Sequence, residues 1–249
     1  VAIEAKTAAR ALTQEWLGAH AGDAASHWVR INALDTSLWQ EDLLAVMPVA
    51  PSGVMVPKAS GPDQLQRLSA ELDVLERRHD IPAGTTQILP LVSETPAAAL
   101  SVAAYAQADL PRLAGLTWGA EDLAAAIGAT RKKDGAGHWT DAFRFVRSQV
   151  LLAAHARSAL AIDTLHADFR DLEGLGQTAR EARADGFHGM LAIHPDQVAV
   201  INAAFTPSAE ERAAIVDLFD ANPGVGALAF KGRLVDLPHL AQAKRILGL

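Results

Sequence analysis

The hydrophobic positions of this chain form short continuous runs that alternate with longer amphipathic stretches. Runs rich in apolar residues predict strands at 27–32, 53–58, 86–93, 113–119, 159–165, 189–194 and 226–230. Continuous rather than alternating hydrophobicity is typical of strands buried on both faces, which favours a parallel sheet. The runs recur about every 30 residues, the usual length of one strand–helix unit.

The amphipathic stretches carry helix-start and helix-stop signals. "PDQLQRLSAELDVLERR" opens on Pro62, "GLGQTAREARADG" ends near Gly186, and Ser208 and Glu211 have the spacing of a capping box. This alternation predicts an α/β fold, a (β/α)8 TIM barrel whose first strand precedes Val1. A doubly wound sheet is the alternative. It usually carries a glycine-rich phosphate loop after its first strand, and "VRINALDTSLW" is not one.

Length and composition narrow the class of protein. The 249 residues suffice for one large core, predicted as a single structural domain with a barrel at 1–206 and a C-terminal barrel-closing lid segment at 207–249. The absence of cysteine excludes disulfides and thiol nucleophiles. Acidic residues outnumber basic ones, 29 to 22, and no basic cluster suggests a nucleic-acid surface. No apolar run approaches the roughly 20 residues of a membrane helix, so we expect a cytoplasmic protein without nucleic-acid or membrane partners.

Polar residues follow six of the seven predicted strands, where parallel α/β folds gather their chemistry. These residues are Arg30 and Asn32, Lys58, Glu94, Glu121 and Asp122, Asp163, and His194. Any one of them alone is more simply a helix cap or a rim charge. The agreement among strands favours a shared site at this end of the sheet.

Glu94 and Asp122 follow adjacent strands and have no histidine or cysteine beside them. Such a pair suits a hard cation, Mg²⁺ or Mn²⁺, which takes one or two protein carboxylates and completes its shell from water and substrate. The alternative for Asp122 is a helix N-terminal acid, favourable by about 0.3–1 kcal/mol. Glu121 fits that alternative better than Asp122 does.

Three further features have two interpretations each. Arg30 can clamp a substrate carboxylate through two hydrogen bonds, or form a buried salt bridge to Glu94 or Asp122. His194 is a general base or a structural histidine. The basic, glycine-rich stretch 131–139 is a solvated loop or a cradle for the phosphates of a nucleotide-bearing substrate.

Several stretches together resemble the citrate lyase β-subunit-like proteins of the HpcH/HpaI aldolase superfamily, which includes malyl-CoA and citramalyl-CoA lyases. They are "VRIN", "VMVPKAS", "LVSETP", "TWGAEDLAAAIG", "AIDTLHADFRDLEGL", "GFHGMLAIHPDQVAVINAAFTPS" and "KGRLVDLPHLAQAKRIL". The resemblance covers nearly the whole chain. It implies a (β/α)8 barrel, a homotrimer, and a Mg²⁺-dependent lyase.

The resemblance also implies roles for the metal and oxo-acid residues. Glu94 and Asp122 resemble the Mg²⁺ ligands, and Arg30 resembles the catalytic residue that binds the oxo-acid carboxylate. The backbone at Gly119 and Ala120 would lie beside that oxo acid.

Other positions resemble the thioester side of the family site. Ile193 and His194 look like part of the acyl-CoA site, and Lys58 and Asp163 resemble substrate-binding positions. Asp236 matches an acid that a neighbouring subunit offers to the active site, where it would transfer a proton.

Family members begin with a strand that ends in a "DLEDAV"-type motif, and this chain starts on the final valine of that motif, Val1. We therefore expect the first barrel strand and its two acids to lie outside the chain as given.

The implied reaction cleaves or forms a 3-hydroxyacyl-CoA such as citryl-, malyl- or citramalyl-CoA. The products of cleavage are an acyl-CoA and an oxo acid such as oxaloacetate, glyoxylate or pyruvate. The alternatives are a metal-dependent aldolase acting on free 2-oxo or hydroxy acids, and a carrier-dependent or non-catalytic lyase subunit.

Overall fold

The computed structural model describes residues 1–220 and, beyond them, 227–230, 233–236 and 243–244. Its α-helices are α1 Lys6–Ala19, α2 Leu38–Val46, α3 Pro62–Arg78, α4 Pro96–Ser101, α5 Ala120–Ile127, α6 Asp141–Ala156, α7 Leu172–Asp185, α8 Pro195–Phe205 and α9 Ala209–Asp220. Its strands are β1 Trp28–Arg30, β2 Gly53–Val56, β3 Gln87–Pro90, β4 Gly115–Thr117, β5 Leu160–Asp163, β6 Gly189–Met190, β7 Ala227–Phe230 and β8 Arg233–Asp236. Each predicted strand is present, and those from β1 to β6 are shorter than predicted. Arg30 and Asp163 are the last residues of β1 and β5, and the other polar residues that follow the strands lie in loops or at helix starts.

The first six strands run parallel, and their spatial order follows their order in the chain. β1, β2 and β3 form one ladder and β4, β5 and β6 another. Parallel bridges from Ile88 to Leu113 and from Leu91 to Thr117 connect β3 to β4. A doubly wound sheet would reverse its strand order at a switch point. The uninterrupted order is therefore that of a TIM-barrel-like sheet, as predicted.

The last predicted strand is a correction to the parallel scheme. β7 pairs antiparallel with β8, with Ala227 opposite Asp236 and Phe230 opposite Arg233. Only two residues of sequence separate these strands, whereas a parallel connection needs a dozen or more. In the described part of the chain this segment is a hairpin and not a seventh parallel strand.

Periodic apolar positions on the helices produce the core. On α3, Leu65, Leu68, Leu72 and Leu75 recur every three or four residues and are at most 2% exposed. They pack in one cluster with sheet residues such as Val54. Each such burial contributes roughly 1.5–3 kcal/mol. None of the helices in the described ranges has the length and apolarity to cross a membrane.

A buried ion cluster lies at the amino-terminal ends of β3 and β4. Arg112, 3% exposed, donates to both carboxylate oxygens of Glu76 at 2.7 and 2.6 Å, and also to Asp73. Backbone N–H groups of Gly84 and Thr86 donate to the same carboxylate at 2.8 and 2.9 Å. Burial works to raise the pKa of Glu76, but these donors outweigh it and lower the pKa to about 2. These bonds connect α3 to the amino-terminal end of the sheet.

Candidate active site

Glu94 lies where the sequence places it, between β3 and the start of α4. Thr95 caps α4 by accepting from the Ala98 N–H at 3.2 Å, and Pro96 fills the first helical position. The carboxylate of Glu94 is buried, at 2% exposure. Its Oε2 accepts a hydrogen bond from the backbone N–H of Lys58, and its Oε1 has no hydrogen-bond partner among the described residues.

Asp122 approaches Glu94 from the first turn of α5. The two carboxyl groups lie close enough for Asp122 to raise the pKa of Glu94. Gly119, directly before α5, makes this approach possible, because a Cβ there would lie 2.9 Å from Cγ of Glu94. Burial and the neighbouring Asp122 raise the pKa of Glu94, while the Lys58 N–H and the charge of Arg30 oppose the rise.

The donor set fits the cation predicted from the sequence. A buried carboxylate oxygen without a partner, next to a second carboxylate, is costly unless a cation or a proton compensates it. Two carboxylates are also the usual protein share of a Mg²⁺ site. Within the described ranges no group of three or more histidine or acidic side chains is arranged to hold a metal.

Arg30 lies at the end of β1, opposite Met55 of β2, with its side chain exposed. Among the residues that the structure describes, it makes neither a side-chain hydrogen bond nor an ion pair. The alternative of a buried salt bridge to Glu94 or Asp122 is therefore wrong for these residues. An arginine at the rim without a protein partner keeps its donors available for a ligand.

The sequence reasoning missed a network that holds the end of β1. Asp42, 7% exposed, accepts from the backbone N–H of Asn32 at 2.7 Å and from Nε of Arg10 at 2.8 Å. Lys6 donates to Oδ1 of Asn32 at 2.5 Å. Asn32 stood out as a polar residue after a strand, but its partners come from α1 and α2. Only the packing of those helices brings them together.

Lys58 contributes through its backbone. Its φ of 53° is left-handed, and this conformation accompanies the N–H bond to Glu94. Its side chain is exposed. Substrate binding by that side chain stays a prediction.

Asp163 is engaged by the protein itself. Its Oδ1 accepts from the indole N–H of Trp118 at 2.7 Å and from the Thr164 N–H at 2.8 Å. Its Oδ2 accepts from Nε and Nη2 of Arg147 at 3.0 and 2.8 Å. These four bonds fill the acceptor sites of a carboxylate. The contacts therefore do not support Asp163 as a substrate-binding residue.

His194 and Ile193 lie between β6 and α8. His194 is the N-cap residue of α8, and its Nδ1 accepts from the Asp196 N–H at 3.2 Å. Its ring stacks on Phe169 with centroids 5.0 Å apart. Ile193 is 50% exposed. These contacts give His194 a structural role, and the acyl-CoA role of both residues stays a prediction.

Asp236 ends β8, and its side chain lies outside the described residues. Its predicted role in proton transfer remains a prediction.

The basic stretch 131–139 is an ordered turn next to α5. The backbones of Lys133 and Trp139 form an isolated antiparallel β-bridge. The ring centroid of Trp139 lies 5.1 Å from that of Trp118. Lys132 forms an ion pair with Glu121, in the same helical turn as Asp122. Glu121 thus lies in the first turn of α5, as expected for a helix N-terminal acid.

Comparison with known proteins agrees with this architecture. The family described as HpcH/HpaI aldolase/citrate lyase matches residues 1–195. The chain belongs to this family. Its curated relatives are named as lyases, and the chain is accordingly a carbon–carbon lyase.

Similar sequences come from bacteria and mammals. The citrate lyase subunit beta-like protein of Mycobacterium tuberculosis is 38% identical over 220 residues, 88% of this chain and 74% of the relative. Mitochondrial citramalyl-CoA lyase of Rattus norvegicus is 35% identical and covers 89% of this chain and 68% of the relative. The L-malyl-CoA/beta-methylmalyl-CoA lyase of Cereibacter sphaeroides is 34% identical, with 88% and 74% covered.

Solved structures show the same fold. CitE of Mycobacterium tuberculosis, in complex with magnesium, acetoacetate and coenzyme A, aligns with a TM-score of 0.77 at 35% identity. That alignment covers 100% of this chain and 85% of CitE. A citrate lyase of Burkholderia xenovorans LB400 aligns with a TM-score of 0.86 and 23% identity over 100% of this chain and 79% of the other, which shows the fold alone.

Proposed function

We propose that this chain cleaves, and in reverse forms, the carbon–carbon bond of a 3-hydroxyacyl thioester, giving an oxo acid and an acyl thioester. One observation carries the proposal. The buried Glu94 has an oxygen without a hydrogen-bond partner beside Asp122, at the same end of the sheet as Arg30, whose side chain makes no hydrogen bond or ion pair within the described residues. This arrangement suits an anionic substrate that arrives with a divalent cation.

Glu94 and Asp122 would hold Mg²⁺, with Mn²⁺ as the alternative ion. When bound, the ion supplies Lewis-acid stabilisation of negative charge that develops on the substrate, worth several kcal/mol. Magnesium is present in the related CitE structures with oxaloacetate and with pyruvate, which supports this choice.

Arg30 would bind the carboxylate of the oxo-acid half through two N–H groups and so fix its orientation. The start of α5 would lie beside the same group, because Gly119 and Ala120 precede Asp122 by two or three residues. The positive end of the helix dipole favours an anion there. Lys58 supports the site by its N–H bond to Glu94.

Cleavage leaves a thioester enolate, which an acid must protonate. We assign that proton transfer to Asp236 of a neighbouring subunit in a homotrimer, and the acyl-CoA contact to Ile193 and His194. In this proposal residues 1–206 form the barrel and residues 207–249 form the lid segment. Coenzyme A in the CitE complex supports a thioester substrate.

The test is a coupled assay of the purified protein with Mg²⁺ and citryl-, malyl- or citramalyl-CoA, each with and without EDTA. We expect cleavage of one thioester that EDTA abolishes. The matched control for Asp122→Asn is Glu121→Gln, because Glu121 lies on the same turn and faces Lys132. We expect loss of turnover in the first variant and activity within about twofold in the second.

The same assay separates the other hypotheses. Turnover of free hydroxy acids with silence on thioesters would replace the proposal by an aldolase. Activity on a carrier-linked acyl group alone would indicate a lyase subunit. Full activity of Asp122→Asn would reject the metal assignment.

A further inference from the structure

A chain of buried hydrogen bonds connects the site to the back of α6. Arg147 of α6 binds Asp163 at the end of β5, and Asp163 binds Trp118 just after β4. Asp163 and Trp118 are 1% and 0% exposed. None of these three side chains takes part in the reaction as proposed above.

The two donors to Oδ1 of Asp163 flank the same short segment. One is the indole of Trp118, the residue before Gly119. The other is the N–H of Thr164, whose hydroxyl accepts from the Ala120 N–H at 3.4 Å. A single carboxylate oxygen therefore holds Gly119–Ala120 from both sides, once through a side chain and once through the neighbouring loop.

Arg147 fixes the carboxylate in turn. Its Nη1 donates to Asp185 at 2.6 Å, and its guanidinium lies 4.5 Å from the centroid of the Phe187 ring. Asp163 is thus held by α6, and α6 by the end of α7. The positive charge of Arg147 compensates the charge of the buried Asp163 carboxylate, which would otherwise be costly to bury.

We propose that Asp163, held by Arg147, is a positioning residue that sets the start of α5 against Glu94. The inference rests on the proposed function of that site. Gly119 contacts Glu94 so closely that a Cβ would meet Cγ at 2.9 Å, so a small shift of this turn changes the separation of Glu94 and Asp122. Displacements of about 1 Å can cost on the order of 100-fold in rate.

Two variants each remove one of the two connections between Asp163 and the Gly119–Ala120 segment, and both keep the buried pair of Arg147 and Asp163. Trp118→Phe deletes the indole N–H and keeps an aromatic ring in the core. Thr164→Val deletes the hydroxyl that accepts from Ala120, and Thr164→Ser, its matched control, keeps it. Asp185→Asn controls for loss of the outer, surface ion pair.

The measurements are the Mg²⁺ dissociation constant by calorimetry, kcat and KM for the thioester, and the thermal unfolding midpoint. For Trp118→Phe and Thr164→Val we expect a Mg²⁺ dissociation constant raised at least threefold and kcat lowered about tenfold or more. We expect a KM within about threefold of the starting protein. Thr164→Ser and Asp185→Asn should stay within about twofold in all three constants.

A purely structural role would lower the unfolding midpoint of both variants and leave the Mg²⁺ constant and kcat unchanged, which would overturn the proposal. If Trp118→Phe fails to fold, the Thr164 pair still decides it. If the starting protein binds Mg²⁺ but cleaves no thioester, the proposed substrate fails. The Mg²⁺ constants of the variants then still test the positioning role.

Discussion

Two buried glutamates at opposite ends of the sheet, Glu76 and Glu94, have opposite environments. Glu76 accepts four hydrogen bonds, two from Arg112 and one each from the backbone N–H groups of Gly84 and Thr86, and its pKa is lowered to about 2. Glu94 receives the Lys58 N–H on one oxygen, has no partner on the other, and its pKa is raised by burial and by Asp122.

The difference separates a carboxylate that stabilises the fold, Glu76, from one that we propose as a cation ligand, Glu94. Both side chains are buried to a similar degree, at 0% and 2% exposure, so burial alone does not distinguish them. The partners do. A saturated set of donors indicates a structural role, and an unsaturated set beside a second acid indicates a binding site.

The largest effect is expected for Glu94→Gln. The amide oxygen can still accept from the Lys58 N–H, but the charge for the cation is lost. We expect kcat/KM to fall by at least 10³, a loss of about 4 kcal/mol in transition-state stabilisation. In EDTA, the free energy of unfolding should be unchanged or higher, because a buried charge next to Asp122 has been removed. Activity assays and urea unfolding measure both quantities, and a clear loss of stability would show that Glu94, like Glu76, stabilises the fold.

Glu76→Gln should show the reverse pattern. It leaves Arg112 buried with only Asp73 as an acidic partner, and breaking a buried pair costs about 3–5 kcal/mol of folding free energy. Turnover per folded molecule should be unchanged, since the cluster lies at the other end of the strands. The control is Glu71→Gln on the same helix, because Glu71 has no partner in the described part of the chain. Equal stability of the two variants would contradict the assignment.

Acidification tests the same cluster without a substitution. The pKa of Glu76 is about 2 in the folded protein against 4.5 for an unperturbed glutamate. Because the folded pKa is lower, the stabilisation is present above the unfolded value and is lost as the pH falls from about 4.5 to 2. The loss amounts to about 3 kcal/mol. Urea unfolding across this range should show a smaller pH dependence in Glu76→Gln than in the starting protein.

Arg30→Lys gives the smallest expected effect. A lysine keeps the positive charge but loses the planar pair of donors, so we expect KM for the thioester to rise about tenfold. The stability should change little, since Arg30 has no ion-pair partner among the described residues. An unchanged KM would remove Arg30 from the oxo-acid site, and a marked loss of stability would show that it is structural.

The sequence predicted the residues of the candidate site better than it predicted the buried residues that hold them in place. The sequence predicts that Glu94 and Asp122 lie together because they follow adjacent parallel strands, and in the structure Asp122 raises the pKa of Glu94. The strand-end position and the family resemblance predict substrate binding for Asp163, and nothing local in the sequence shows that Arg147 and Trp118 fill its oxygens. The partners of Asp42 and Glu76 were missed for the same reason.

The local hydrophobic pattern also gave a wrong prediction for the pairing of the last strand. The apolar run from 226 to 230 has the composition of a buried parallel strand, yet its partner is the next segment of chain. A strand sequence specifies how the backbone extends and which residues prefer burial. It does not specify which edge the strand pairs with.

The order of strands and helices and the parallel character of the first six strands are readable from the sequence, because hydrophobic period and helix-end signals are local. The family is readable from the resemblance of its motifs. Which charges are satisfied depends on the folded structure. Arg112 lies 36 residues from Glu76, and Trp118 lies 45 residues from Asp163. The free energy of a buried charge depends on donors that only folding brings within hydrogen-bonding distance, so the distinction between Glu76 and Glu94 exists only in the folded chain.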